Sequence, residues 1–316
     1  MLLERGFKMG KTLKLLTTLT WEEYLSEFFT EKRIQGCRER TIQDYKLHLG
    51  LFFRTYQGDI ENYHLLCNKV KEYFSTSVIA PATFNIRRAY LKSFFSYLVK
   101  IGILPKNPIN FPKRKDEGRA RNVSQDVLIE LLKLPDKKTF AGLRDYCLIL
   151  LTLDTGIRPQ EALSLLPKDI NLPGLEVTIR KEIAKTKATR TVTISPLTAT
   201  HLQKLLKVRL STWNDNIPVF CSYEGRPLLE ASWTHRLKQY SHQLGHSITP
   251  YSLRHSFALL YIRNGGNVFT LQRSMGHADL NMTKRYLALN GEDLKREHEV
   301  ASPINKLLNN KRMRNL

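Results

Sequence analysis

The chain has 316 residues, of which 42% are hydrophobic and 25% are charged, with 50 Lys and Arg against 29 Asp and Glu. This length and apolar content exclude a mainly disordered chain and predict about two domains with ordinary hydrophobic cores. The formal net charge of +21 indicates a polyanionic partner, and nucleic acid is the class that most often supplies one.

The cysteines and the apolar stretches limit where the protein can act. The four cysteines are too widely spaced for paired metal ligands and too few for a disulfide framework, which favours a reducing compartment. The apolar stretches fall short of the roughly 20 residues of a membrane-spanning helix, so we expect no membrane contact. Residues 1–19 predict a flexible basic leader, or an upstream start with Met9 as the true first residue.

Helical periodicity dominates the first hundred residues. Thr20 and Glu23 form a capping box before an amphipathic segment, and Pro81 suits the first turn of a later helix. The predicted helices cover 20–36, 42–56, 61–75 and 81–102. Residues 20–102 are therefore predicted to form a four-helix domain.

Basic residues at the end of this domain and just after it are candidate DNA contacts. The candidates on the fourth helix and in the following segment are Arg87, Arg88, Lys92, Lys113, Arg114 and Lys115. The cations on the helix lie away from most of its apolar stripe, which fits groove contact or a merely solvated face. Residues 103–122 contain three prolines and predict an extended linker, which either lies along a phosphate backbone or is a solvated hinge.

The second domain is predicted over 123–290 as helices with one small sheet. Ser124 caps a helix, and a more buried helix follows over 140–153. Apolar residues then alternate at both ends of 175–194 around a polar middle, which predicts a β-hairpin with a cationic tip. Later helices are predicted to begin at Thr249, Asn267 and Asn281. The predicted fold class is mostly α with a small antiparallel β-sheet.

Some motifs are too weak to support a function. The segment GFKMGKT has three residues between its glycines where a phosphate-binding loop has four. His242 and His246 have the spacing of helical metal ligands, but a glutamine stands where a zinc protease has its glutamate, which favours surface histidines. A two-metal nuclease could recruit Asp145, Asp154 and Asp169, although no motif joins them, so it stays a weak competitor.

Three segments contain side chains suited to binding an anion. They are TGIRPQEAL from 155, TPYSLRHSFA from 249 and SMGHADLNMTKRYL from 274. In the first segment a glycine ends one helix and a proline begins the next, which leaves Arg158 at a helix N-terminus. Arginine is unfavourable there unless a bound anion or an ion pair with Glu161 balances it.

The other two segments add a helical face and a turn. Tyr251 and Arg254 lie at helical spacing, so their side chains share one face. His277 follows a glycine that ends a helix, and Tyr286 comes nine residues later. Together the three segments resemble the tyrosine recombinase (phage integrase) family, whose signatures are an arginine box, an HxLRH box, an LGH turn and a nucleophilic tyrosine.

The resemblance implies a role for each residue at a signature position. Arg158 and Arg254 would clamp the scissile phosphate, and Tyr286 would be the nucleophile that attacks it. Lys185 stands where the family has its catalytic lysine, which protonates the departing oxygen. Lys187 is a nearby rival that spacing does not exclude.

Supporting roles follow from the same resemblance. His277 would bind the phosphate or accept the phenolic proton, and Glu161 would hold the arginine box in place. Tyr251 departs from the family because histidine is usual there; a phenol still donates a hydrogen bond, but its pKa near 10 makes it a poor proton shuttle. His255 would either substitute in part for that histidine or only support the helix.

The implied activity is site-specific DNA recombination through a 3′-phosphotyrosyl intermediate and a Holliday junction, without metal, cofactor or ATP. The implied fold is a helical core-binding (SAM-like) domain and an α+β catalytic domain. The implied partners are double-stranded DNA sites, a tetramer on two sites, and possibly a second recombinase or an accessory protein. Residues 291–316 would dock on a neighbouring protomer, with a frayed basic tail as the alternative for the last eight residues. We expect a cytoplasmic, nucleoid-associated protein of a bacterium or archaeon.

Two other functions remain open from the sequence. A type IB topoisomerase would use nearly the same side chains to relax supercoiled DNA without paired specific sites. A DNA-binding regulator would retain the fold with a degenerate site, of which Tyr251 would be the sign. Covalent capture of DNA separates the regulator from both enzymes.

Overall fold

The structure is a computed structural model, and it describes residues 20–56, 60, 62–75, 78–115, 123–277, 283, 298 and 302–304. The chain divides into two compact units, Met1–Arg119 and Ala120–Leu316, and each has its own hydrophobic core. It is mostly helical with a small antiparallel sheet, which confirms the predicted fold class. In the parts that the structure describes, no helix is both long and apolar enough to cross a bilayer. The predicted leader over 1–19 lies outside the described residues.

The first unit contains the four predicted helices. They are α1 Trp21–Ile34, α2 Glu39–Phe53, α3 Tyr63–Ser75 and α4 Pro81–Lys100. The capping box before α1 forms as predicted: the Thr20 amide donates to the Glu23 carboxylate at 2.7 Å, and the Thr20 hydroxyl accepts from the Glu23 amide. Aromatic rings dominate the core, where Phe94 makes edge contacts with Phe28 and Phe53.

The chain after α4 packs back onto the first unit. Leu104 and Ile109 are buried in its core. The Arg88 guanidinium donates to the Phe111 carbonyl from Nε at 2.8 Å and from Nη2 at 2.6 Å. The predicted linker over 103–122 therefore begins later than expected, and its last part, 116–122, lies outside the described residues.

The sequence analysis misplaced Arg88. Helical periodicity put it with Lys92 on the outer face, but Arg88 is buried while Lys92 is exposed. The reason is a long-range partner, since the returning chain offers the Phe111 carbonyl to the guanidinium and satisfies it inside the unit. The prediction that Arg88 faces outward is wrong on this ground, and its contact with DNA stays a prediction.

The remaining basic candidates of the first unit lie at or near its surface. Lys92, Lys113 and Lys115 are exposed, and Arg87 is half-buried. Arg114 packs its guanidinium 3.9 Å from the centre of the Phe84 ring, a cation–π contact. Their contact with DNA stays a prediction.

The second unit contains a sheet among helices. Its elements are α5 Gln125–Lys133, α6 Phe140–Thr155, α7 Pro159–Leu163, β1 Ile170–Asn171, β2 Glu176–Ile179, β3 Arg190–Thr193, α8 Pro196–Lys207, α9 Glu230–Leu244, α10 Pro250–Arg263 and α11 Val268–Met275. The strands pair antiparallel in the order β1-β2-β3, with Val177 opposite Val192 on the buried face. The predicted helices at Ser124, 140–153, Thr249 and Asn267 and the hairpin are confirmed. The helix expected at Asn281 lies outside the described residues.

The three aspartates that a two-metal nuclease could have recruited are bound by different protein partners. The Asp145 carboxylate accepts from Arg144, Arg236 and Tyr240 at 2.7–2.9 Å. Asp154 accepts from the Ser195 amide at 2.6 Å, and Asp169 accepts from the Arg180 guanidinium at 2.8 Å. Each carboxylate thus stabilises a separate part of the fold. His242 and His246 are exposed, as predicted.

The cysteines are unpaired thiols in two different environments. Cys37 and Cys67 are half-buried in the first unit, and Cys147 and Cys221 are buried in the second. Burial raises the pKa of the Cys147 thiol to about 12, and its sulfur donates to the His201 carbonyl at 3.2 Å.

Candidate active site

The site begins where α6 ends. Gly156 caps α6 in a left-handed conformation with φ of +63°, which glycine adopts without strain. A Cβ at this position would lie 2.3 Å from Phe257 Cδ1 on α10, so glycine also permits the close approach of the two helices. This turn delivers Arg158 to the start of α7 and leaves the Gly156 carbonyl pointing at Arg254.

Arg158 is buried and bridges two parts of the unit. Its Nη1 donates to Glu161 Oε1 at 3.1 Å, which is the ion pair that the sequence offered as one alternative. Its Nη2 donates to the Gly276 carbonyl at 2.6 Å. The guanidinium therefore connects the arginine box to the end of α11.

Arg254 reaches the same place from α10. It is only 4% exposed, and it donates from Nη1 to the Gly156 carbonyl and from Nη2 to the Met275 carbonyl at 2.8 Å. Arg158 and Arg254 thus bind successive carbonyls at the C-terminus of α11. The partial negative charge of a helix C-terminus favours two cations there.

The turn after α11 carries His277. Gly276 has φ of +62° and ends the helix, and the His277 amide closes the turn by donating to the Gln272 carbonyl at 3.0 Å. The ring Nδ1 and the buried Thr283 hydroxyl are hydrogen-bonded at 2.9 Å. Two of the expected residues, Arg158 and Arg254, are therefore joined through carbonyls to the turn that holds the third.

Glu161 lies at the centre of this arrangement and is 1% exposed. Burial raises its pKa, but hydrogen bonds and charge from Arg190, together with the charge of Arg158, outweigh burial, so the pKa lies below its usual 4.5. The Lys185 amide also donates to Glu161 Oε1 at 3.2 Å, which brings the hairpin loop to the site. Glu161 therefore contacts both the arginine box and the hairpin, and its supporting role in the reaction stays a prediction.

Sequence reasoning missed Arg190. It begins β3 and donates to Glu161 from Nη1 at 3.1 Å and from Nη2 at 2.5 Å, while its Nε donates to the Ser274 carbonyl at 3.1 Å. A signal was present, because Arg190 shares a strand face with the buried Val192 and a cation on an inward face needs a partner. The identity of that partner was not visible in the hairpin.

Comparison with known proteins assigns the chain to a family. The model described as the phage integrase family matches residues 121–293, more than half of the chain. The chain belongs to the phage integrase family. It is a tyrosine recombinase, an enzyme of site-specific recombination, which confirms the resemblance carried by the three segments.

Relatives and solved structures agree with this membership. The tyrosine recombinase XerC of Myxococcus xanthus is 28% identical over 284 residues, which are 85% of this chain and 93% of the relative. XerC of Roseiflexus castenholzii is 30% identical over 234 residues, 71% of this chain and 73% of the relative. The Tn1549 transposon integrase, solved with a circular intermediate DNA, shares the fold with a TM-score of 0.71 at 16% identity, over 88% of this chain and 98% of that one.

Tyr251, which stands where the resemblance implies a histidine, lies in the first turn of α10. The side chain is half-exposed, and desolvation together with the charge of Glu230 raises its pKa, against the opposing charges of Arg254 and Arg158. The phenol is therefore protonated at neutral pH and can donate a hydrogen bond. His255 follows on the same helix and is half-buried.

Two parts of the expected site stay predictions. The side chains of Lys185 and Lys187 are both exposed, and only the backbone of Lys185 has a described bond to the site, so the choice of catalytic lysine is untested. The expected nucleophile of the recombinase, Tyr286, lies outside the described residues. The same holds for most of the expected docking segment over 291–316.

Proposed function

We propose that this recombinase cuts and rejoins DNA strands by transesterification, with Tyr286 as the nucleophile. The observation that supports this best is the pair of arginines, Arg158 and Arg254, bound to the adjacent carbonyls of Gly276 and Met275 beside His277. Two buried guanidinium groups held at one turn form a site for an oxyanion that accepts hydrogen bonds from both of them. A DNA phosphodiester is the anion that the family and the basic chain favour.

The two guanidinium groups supply the positive charge that the transition state needs. Arg158 and Arg254 stabilise the negative charge that gathers on the oxygens of the phosphate in the transition state. Because the arginines supply this charge, the step needs no metal ion.

The reaction exchanges one phosphate ester for another. The phenol oxygen of Tyr286 bonds to phosphorus and the bond from phosphorus to the 5′ oxygen breaks. His277 accepts the phenolic proton, and Lys185, or its rival Lys187, gives a proton to the departing oxygen. The product is a 3′-phosphotyrosyl ester, which the free 5′-hydroxyl of another strand reverses on a new partner. No ATP is consumed, since the energy of the broken ester bond is retained in the new phosphotyrosyl ester.

The complete reaction needs an assembly. Four protomers on two DNA sites exchange strands in pairs through a Holliday junction, and residues 291–316 dock on a neighbouring protomer. The protein acts on DNA in the cytoplasm, at the nucleoid, alone or with a second recombinase or accessory protein. Support comes from the family and from the charge, and size-exclusion chromatography of the protein on paired sites measures the stoichiometry.

Covalent capture on a nicked suicide DNA tests the nucleophile. Wild-type protein is expected to form an adduct that survives denaturation, and Tyr286→Phe is expected to bind the DNA without forming it, because phenylalanine has no attacking oxygen. Tyr223→Phe is the matched control, since Tyr223 is an exposed tyrosine of the same unit and its variant should retain the adduct. An adduct in Tyr286→Phe contradicts the assignment.

Covalent capture and a plasmid relaxation assay together separate the other two functions from recombination. Binding to the proper site without any wild-type adduct supports a DNA-binding regulator. Relaxation of a supercoiled plasmid that carries no target site supports a topoisomerase instead of a recombinase.

A further inference from the structure

The Glu161 carboxylate is shared by two arginines rather than paired with one. The Arg158 guanidinium contacts Oε1 at 3.1 Å and its backbone amide donates to Oε2 at 3.3 Å, whereas the Arg190 guanidinium spans both oxygens at 3.1 and 2.5 Å. The side chain of Glu161 is 2% exposed, and those of Arg158 and Arg190 are 10% and 11% exposed. The shorter of the two ion pairs, 2.5 Å against 3.1 Å, belongs to Arg190.

Arg190 also packs against the turn that orients both phosphate-binding arginines. Its Nε donates to the Ser274 carbonyl at 3.1 Å. A Cβ on Gly276 would lie 3.0 Å from the Arg190 Cζ, so the guanidinium lies directly against that glycine. One side chain from β3 thus contacts both the arginine box and the end of α11, which are separate in the sequence.

The net charge of Arg158, Glu161 and Arg190 also supports a role for Arg190 at the site. A lone pair of Arg158 and Glu161 is neutral and would attract a phosphate weakly, whereas the triad with Arg190 has a net charge of +1. Arg190 therefore offsets the negative charge of Glu161, so the site stays positive while Glu161 fixes the orientation of Arg158.

We propose that Arg190 is a positioning residue of the recombination reaction: through Glu161 and the Ser274 carbonyl it holds Arg158 and the 274–277 turn in the geometry that binds the scissile phosphate. This inference rests on the proposed function. It assigns to Arg190 no contact with DNA.

A purely structural ion pair is the competing explanation, and the same unit supplies a matched control. Arg180 follows β2, and its Nε donates to the buried Asp169 carboxylate at 2.8 and 3.0 Å. Loss of either arginine leaves a buried carboxylate without its main partner, so Arg180→Met and Arg190→Met should both lower the melting temperature. Only Arg190→Met should disturb catalysis.

Single-turnover adduct formation at saturating DNA is the first test. Arg190→Met is expected to form the adduct about 100-fold more slowly than wild type, the loss typical of a misplaced catalytic group, with DNA affinity nearly unchanged. Arg180→Met is expected to keep the wild-type rate. Equal rates for wild type and Arg190→Met, or an equal loss in both variants, would overturn the proposal.

The pH dependence of adduct formation is a second test, because the loss of a merely structural ion pair would not shift it. Glu161 faces the guanidinium groups of Arg158 and Arg190, the Lys185 amide and the Tyr251 phenol. Without Arg190, burial raises the pKa of Glu161 against less opposition, so the acid limb of the adduct rate moves to higher pH. Arg190→Lys should restore the position of this limb because it restores the charge. An acid limb that stays in place in Arg190→Met contradicts the proposal.

A crystal structure of Arg190→Met gives a reading that does not depend on activity. The bond from Arg158 Nη2 to the Gly276 carbonyl, 2.6 Å in the wild type, is expected to break or lengthen beyond hydrogen-bond distance. Superposition of Arg158 and the 274–277 turn on the wild type would overturn the positioning role. If the wild type forms no adduct, the proposed function fails, and this measurement still decides the role of Arg190.

Discussion

Tyr251 shows how one side chain changes the proton chemistry of the site. The resemblance implies a histidine at this position, and histidine titrates near neutral pH. The raised pKa of Tyr251, caused first by desolvation and then by Glu230, keeps the phenol protonated across the working range. We therefore predict that this position supplies a hydrogen bond and no proton shuttle.

A pH series on Tyr251 variants tests this. Tyr251→His is expected to add an ionisation near pH 6.5 to the profile of adduct formation, because imidazole titrates there and the phenol does not. Tyr251→Phe should show no new ionisation and should react up to about tenfold more slowly, since it loses one hydrogen bond of about 0.5–1.5 kcal/mol. Superposable profiles for wild type and Tyr251→His would contradict this role.

Residues that the sequence places well are those with a local signature. Arg158, Arg254 and His277 stand at helix ends or in a spaced box, and the described site brings them together. Arg88 was misplaced and Arg190 was missed because their hydrogen-bond partners are distant in the sequence. When a guanidinium is hydrogen-bonded to the Phe111 carbonyl or to Glu161, the sequence around the arginine contains no signal of that partner.

Among the elements, α11 most directly shapes the site. Its start is fixed by the Asn267 side chain, which accepts from the Phe269 and Thr270 amides at 2.9 and 3.2 Å. Its end is fixed by Gly276, beyond which His277 follows. A helix of eight residues capped at both ends offers its last carbonyls at a defined place.

A glycine pair separates backbone strain from contact with the site. Gly276 and Gly245 end α11 and α9 with nearly equal φ of +62° and +64°, but a Cβ meets Arg190 at Gly276 and nothing within 4 Å at Gly245. Gly276→Ala and Gly245→Ala should each lose about 1–2 kcal/mol of stability from the left-handed backbone. Only Gly276→Ala should also slow adduct formation.

Chemical denaturation and the single-turnover assay measure the two effects. A wild-type rate in Gly276→Ala would show that the contact with Arg190 has no consequence for catalysis.

Several of the correctly predicted helices have a start that is encoded locally. Thr20, Ser124 and Asn267 all accept the expected amide hydrogen bonds. The sequence analysis did not identify α8, although Ser195 caps it and a proline occupies its first turn. Local signals are weaker for α9, whose N-cap residue Leu229 makes no side-chain cap hydrogen bond, and for β1, which has only two residues and pairs with β2.

At the scale of the molecule, the net charge of +21 is expected to dominate the affinity for DNA. Affinity for DNA should fall steeply with salt, with a slope in log units of about −0.9 for each phosphate that is neutralised. Lys92→Ala is expected to reduce this slope by about one unit and leave the melting temperature unchanged, because Lys92 is exposed.

Arg88→Ala is the contrasting variant. It should keep the slope and lower the stability by about 1–3 kcal/mol, since it leaves the Phe111 carbonyl without its donor. Fluorescence anisotropy across a salt series, together with thermal melting, measures both variants. A reduced slope in Arg88→Ala at unchanged stability would restore Arg88 as a phosphate contact.

The distribution of the thiols makes the two units chemically distinguishable. Cys147 and Cys221 are buried with raised pKa values, and a thiolate is the species that reacts with a maleimide. Cys37 and Cys67 are half-buried in the helical unit. A fluorescent maleimide should therefore mark the helical unit of the native chain first, so its engagement with DNA can be followed optically without replacing any cysteine.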